Sequence, residues 1–238
     1  MSIEGWQLFA VFVAAHALAD FCLQPDWLYS RKKDLRFLSL HGLVHGLLVA
    51  ACLGFEGRWT IAVAIVFVTH VGVDALKLRF GGQSARAFVF DQVAHLLVLF
   101  VLAHELVRLT TLRCVVPAAY VPALAGAAGF VFAVFAGRYL IGLAIRDFEA
   151  ARPEKQPGLP QAGRIIGQLE RGLVFLLVLC DEAGAIGFLV AAKSVFRFGD
   201  LKAADERKES EYVIIGTLMS FGFATLVAFA TRALLARL

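Results

Sequence analysis

Eight mostly apolar stretches recur along the chain, over roughly 5–24, 38–55, 59–79, 87–109, 118–143, 164–180, 183–198 and 212–236. A helix that crosses a bilayer needs about 20 such residues. The sixth and seventh stretches are short and separated only by Asp181 and Glu182, so a broken helix or a re-entrant pair is the alternative there. Hydrophobic residues make up 60% of the 238 and charged residues 18%. Soluble domains hold about 25% charged residues, and one of this size could not bury so much apolar surface. The expected fold is all-α, a polytopic transmembrane bundle of about eight helices. Disorder, collagen-like repeats and a disulfide-rich secreted scaffold are excluded.

Charge orients the bundle. With the N-terminus outside, inner loops and adjoining helix ends hold sixteen of the 23 lysines and arginines, among them Arg31, Lys32, Lys33 and Arg36. Five fall outside, and Arg138 and Arg171 lie within spans. This positive-inside bias predicts a bacterial inner-membrane protein with both termini outside. No Lys or Arg precedes Arg31, so the first stretch lacks a basic signal-peptide start and reads as a retained helix. Basic residues are not interleaved with aromatics, which argues against nucleic acid as a partner. Cys22, Cys52, Cys114 and Cys180 are scattered and read as small apolar fillers. Loop-like composition at 111–122 and 150–163 divides the chain into a four-helix unit, 1–110, and a second, 111–238.

Five of the six histidines fall into four i, i+4 pairs: His16/Asp20, His41/His45, His70/Asp74 and Asp91/His95. Residues four apart share a helix face, with Cβ atoms about 5–6 Å apart, which suits joint ligation of a metal. The topology puts all four pairs at one depth, near the cytoplasmic helix ends. His16 and His70 are 54 residues apart, and each hairpin repeats the pattern, as in a duplicated unit with twofold pseudosymmetry. Eight ligands around one axis suggest two divalent ions, zinc first, with manganese or iron as alternatives. An Asp at a bilayer centre costs about 2.5–3.5 kcal/mol, so the cluster must be paired or ligating. The competing readings are an Asp–His network serving packing or proton relay, and a structural metal.

Gln24 and Lys77 lie one turn beyond Asp20 and Asp74 and could orient a ligand or bind a substrate oxygen. Gln92 points about 100° from Asp91 by helix geometry, so packing is its expected role. His104-Glu105 lacks the second histidine of a zincin helix, since position 108 is Arg. In the second half, Gly163 and Gly167 form a close-packing pattern. Arg164, Arg171, Lys193 and Arg197 could bind an anionic lipid head group; anchoring at the inner surface is the alternative for all but Arg171. Arg171 in a span calls for a carboxylate such as Glu170, Asp181 or Glu211. No G-x-S-x-G, P-loop or G-x-G-x-x-G is present.

Together, His16-x-x-x-Asp20-Phe21-x-Leu23-Gln24, His41-x-x-x-His45, Thr69-His70-x-x-x-Asp74-x-x-Lys77 and Asp91-Gln92-x-x-His95 resemble an uncharacterised family of bacterial and phage membrane proteins, a domain of unknown function. Segments 163–171 and 211–217 resemble its longer members, extending the likeness over nearly the whole chain. More distantly, His/Asp pairs at inner helix ends resemble inner-membrane metal-dependent hydrolases, an analogy of pattern only.

The leading expectation is an intramembrane hydrolase acting on a lipid or lipid-linked, phosphorylated substrate at the cytoplasmic leaflet. Asp20, Asp74 or Asp91 would bridge the ions or act as base, and Lys77, Lys193 and Arg197 would hold the head group. Transport of a divalent metal or protons is the alternative, and requires a polar trail toward the outer side. A di-iron oxidoreductase and a pure scaffold complete the set. Membrane lipid is the expected partner, and a homo-oligomer is left open by the sequence.

Overall fold

The computed structural model describes residues 1–110, 116–150, 161–195 and 204–238. They are helical throughout, without strands among the described residues. The helices are α1 (Ile3–Phe21), α2 (Asp26–Tyr29), α3 (Leu35–Cys52), α4 (Thr60–Leu76), α5 (Ala85–Leu109), α6 (Val121–Val131), α7 (Gly137–Ala150), α8 (Ala162–Leu179), α9 (Ile186–Val195) and α10 (Ala204–Leu235). Five helical segments are long and apolar enough to cross a membrane: Leu35–Cys52, Thr60–Gly81, Ala85–Leu109, Ala118–Arg146 and Ser210–Leu235. Helices α1 and α8 have comparable lengths of 19 and 18 residues, but His16 and Asp20 in one, and Arg164, Glu170 and Arg171 in the other, lower their hydropathy. Leu43, Leu47, Ile61, Val68, Leu97, Leu173 and Phe229 stand exposed on the helices, an outer surface suited to acyl chains and unsuited to water. These features mark a membrane protein.

The described residues form two compact units, Met1–Val131 with Ala233–Leu238, and Phe132–Arg232. In the first, α1 packs on α3 and α5, and α4 packs on the same two helices, closing a four-helix ring. Local signals start these helices: the side chains of Ser2, Asp34 and Ser84 accept hydrogen bonds from the main-chain N–H of Gly5, Arg36 and Ala87. Short connections make neighbours antiparallel. One end of the ring is apolar, with Leu8 and Phe12 of α1 meeting Val49, Val66, Leu99 and Leu102 of the other three helices. The opposite end carries the paired polar residues. Helix α6 packs on α1, where Val121 and Ala125 meet Ala10 and Val11.

Two connections shape the polar end. Buried Leu28 pins the α1–α3 connection, and Lys32 turns inward beside it. Helix α4 runs on into a π-helical turn, Lys77–Gly81, and Gly82 follows at φ 59° and ψ −157°, a conformation that only glycine adopts freely.

In the second unit, α8 packs through Val174, Phe175 and Val178 against α9 (Ile186, Leu189) and α10 (Phe221, Ala224, Ala228). Asp181, at φ 67°, breaks the chain between α8 and α9. The sixth and seventh stretches are therefore separate helices. The ten described residues of α9 give about 15 Å of helix, half of a hydrocarbon core of about 30 Å.

Candidate metal centre

Helix periodicity sorts the polar side chains of the first unit into two layers. His16, His45, His70 and His95, one from each helix of the ring, form the inner layer. Their ring centroids lie 3.5 Å apart for His45–His70, 4.2 Å for His70–His95, and 5.2 Å for both His16–His45 and His16–His95. Four residues along each helix, Asp20, His41, Asp74 and Asp91 form the outer layer. Seven of these eight are buried, and the side chain of Asp20 is 9% exposed. The surface is approached through Lys77, whose side chain is 25% exposed.

Asp20 is the meeting point. Its Oδ1 accepts hydrogen bonds from His41 Nε2 (2.9 Å) and His45 Nε2 (3.1 Å), with His70 Nε2 at 3.8 Å. Its Oδ2 accepts from Gln92 Nε2 (3.1 Å) and lies 3.6 Å from His16 Nε2. The other carboxylates are matched by lysines: Lys32 Nζ donates to Asp74 Oδ2 (2.7 Å) and Lys77 Nζ to Asp91 Oδ2 (2.8 Å). Asp20 thus lacks a lysine of its own, and with neutral imidazoles the cluster carries a single net negative charge.

The donor set fits a divalent metal. Asp20, His41, His45 and His70 place one potential ligand atom each within 4.8 Å of one another, and His70, Asp74 and His95 form a second such group. Zinc–nitrogen bonds of about 2.0–2.1 Å give a tetrahedral edge of about 3.4 Å, close to the separations around Asp20. His95 Nδ1 donates to the main-chain oxygen of Asp91 (2.9 Å), leaving Nε2 buried without a partner, as is His70 Nε2. An imidazole tied through one nitrogen with the other turned inward is the arrangement of a metal-ligating histidine.

Six of the eight ligands expected from spacing fall within these groups. His16 and Asp91 flank them: His16 Nε2 approaches Gln92 Oε1 at 3.3 Å, and Asp91 binds Lys77 and Gln92. Gln24 belongs to the rim, where the amide orientation that satisfies both ends puts its oxygen 2.6 Å from Lys32 Nζ. His104 is exposed, away from the cluster.

Three expectations are corrected, and one partner is added. Gln92 is not a packing residue; it bridges Asp20, Asp91 and His16, because its long side chain reaches back across the angular offset. Lys32, which the sequence placed in an inner loop, lies in the α2–α3 connection and is a buried partner of Asp74, a role that spacing did not signal. Arg171 bonds no carboxylate: Nη1 donates to Ser220 Oγ (3.1 Å) and Nη2 to the Val134 carbonyl (2.9 Å). Glu170 and Asp181 pair instead with Lys193 and Arg232. Finally, among the described residues no neighbouring helix meets Gly163 or Gly167. A Cβ at Gly163 would meet nothing within 4 Å, and one at Gly167 would meet only the Arg171 guanidinium. Arg164 and Lys193 lie in the second unit; Arg197 and Cys114 lie outside the described residues.

Residues 8–120 match a family described as protein of unknown function (DUF3307). The match spans all eight pair residues; the later segments expected to extend the likeness lie beyond it. No curated protein and no solved structure matches the chain.

Proposed function

We propose that the chain is an inner-membrane, metal-dependent hydrolase acting on a lipid or lipid-linked phosphate ester at the cytoplasmic leaflet. The observation that carries this reading is the convergence of three buried imidazole nitrogens on Asp20 Oδ1, beside His95 Nε2, which lacks a partner. A bound divalent cation supplies Lewis-acid polarisation of an ester oxygen and acidification of water. Asp20, His41, His45 and His70 would hold it. Gln92 fixes the Asp20 carboxylate, Lys32 holds the Asp74 carboxylate in place, and Lys77, partly exposed at the rim, faces an incoming anionic group.

One ion is better supported than the two suggested by eight ligands. His70 Nε2 lies 3.8 Å from both Asp20 Oδ1 and Asp74 Oδ2, so the two groups share a donor. Two lysines already neutralise two carboxylates, and a second divalent charge in this buried place would go uncompensated. Zinc suits three imidazoles and a carboxylate, with manganese or iron as alternatives.

Hydrolysis is favoured over transport because the far half of the four-helix ring is filled by Leu8, Phe12, Val49, Val66, Leu99 and Leu102, with no polar trail beyond the imidazole layer among the described residues. Elemental analysis of detergent-purified protein tests the reading. About one zinc or manganese per chain, lost in His45→Ala and Asp20→Asn but kept in His104→Ala, is expected, together with metal-dependent release of phosphate from phosphatidate. Iron with near-ultraviolet absorption would mark an oxidoreductase; metal flux into liposomes would mark a transporter.

A further inference from the structure

The unit Phe132–Arg232 has an open cavity of about 640 Å³ with four cationic side chains in its wall: Arg138, Arg164, Arg171 and Lys193. Lys193 is matched by Glu170, which lines the same cavity, at 2.8 Å. Among the described residues the three arginines pair with no carboxylate: Arg164 bonds the Gln161 amide, Arg138 lies over the Tyr139 ring, and Arg171 bonds a hydroxyl and a carbonyl. Arg171 is 4% exposed, and its Nε–H has no acceptor. A buried guanidinium with no carboxylate bonded to it is costly, and close approach of the backbone holds it in place. A Cβ at Gly137 would stand 2.8 Å from Arg171 Cδ, and one at Gly167 would stand 3.2 Å from its Nη1.

We propose that this cavity binds a phosphate-ester anion, at a site separate from the His/Asp cluster and independent of the function assigned to it. Guanidinium groups present planar forks of N–H donors that match phosphate oxygens. Thr217 and Ser220 add hydroxyls to the wall, and Ile141, Ile145, Ile166 and Val213 make the rest of it apolar. Such a wall suits an anion carried on an acyl chain, while free phosphate shares the head-group chemistry.

Full-length protein in dodecylmaltoside micelles, titrated by thermophoresis with dihexanoyl phosphatidate, dihexanoyl phosphatidylcholine and inorganic phosphate, tests the site. Phosphatidate is expected to bind at least about tenfold more tightly than phosphatidylcholine. The double variant Arg138→Gln/Arg164→Gln, altered at the less buried arginines, should lose that preference. Glu170→Gln releases Lys193 and should tighten binding, which a purely structural role for these residues would not produce. The same titrations on chelator-treated His45→Ala protein, where the metal centre no longer engages phosphatidate, should keep an arginine-dependent preference that reports this cavity alone, so failure of the metal centre is distinguishable. Inorganic phosphate binding as tightly as phosphatidate, with the same arginine dependence, supports the site with a soluble ligand. Equal binding of the two lipids without arginine-dependent phosphate binding, or a preference that survives in the double variant, overturns it.

Discussion

Lys32 and Asp74 form the buried ion pair that most limits the centre, with side chains 11% and 6% exposed. Removing one partner of such a pair strands the other charge, at a cost of about 3–5 kcal/mol. Lys32→Met should therefore lower thermal stability in metal-free buffer by about that amount, read by scanning fluorimetry in detergent. Asp74 would then be released to act with His70 and His95, so zinc should restore much of the loss. A variant equally unstable with and without zinc would argue that Asp74 has no access to metal. Gln92 makes the complementary case: Gln92→Leu keeps the bulk but removes the donor to Asp20 Oδ2, and loss of such an outer contact typically weakens metal affinity 10–100-fold. Neither residue was legible as a partner. Spacing along one helix reports which side chains share a face, but is silent on a lysine in a connection or a glutamine reaching across to other helices.

Among the helices, the close approach of α3 and α4 draws His41 and His45 toward His70. Gly42 makes it: a Cβ there would stand 2.5 Å from Val71 Cγ2, the tip of a β-branched side chain with little rotamer freedom. Gly46, one turn on, has its nearest neighbour at 3.5 Å, an ordinary contact. Gly42→Ala should cost about 1–3 kcal/mol through overpacking. Gly46→Ala should be neutral or gain up to about 1 kcal/mol from helix propensity. Thermal melts of the two variants check the contrast, and equal effects would refute a close approach centred on Gly42. Here the sequence was informative in part. It showed helices at all eight apolar stretches, yet it paired Gly163 with Gly167 as a packing motif when Gly167 accommodates an arginine. A small residue signals proximity without naming the neighbour, which a folded contact alone supplies.

At the scale of the molecule, the first unit is polar at one end and apolar at the other, and the loop charges predict a polar end that faces the cytoplasm. Alkaline phosphatase fused after Leu238 should be active, and a green fluorescent protein fusion there should be dark; the reverse pattern would invert the topology. Sequence alone determined the helical membrane class and the four His/Asp pairs, because apolar length and i, i+4 spacing are properties of a single helix. Tertiary structure decided which carboxylate stays free of lysine, that Gln92 and Lys32 join the cluster, and that three arginines surround one cavity. Those outcomes depend on which helix faces meet and on how connections fold back, and contacts between residues 42 or 72 positions apart leave no local periodicity in the chain.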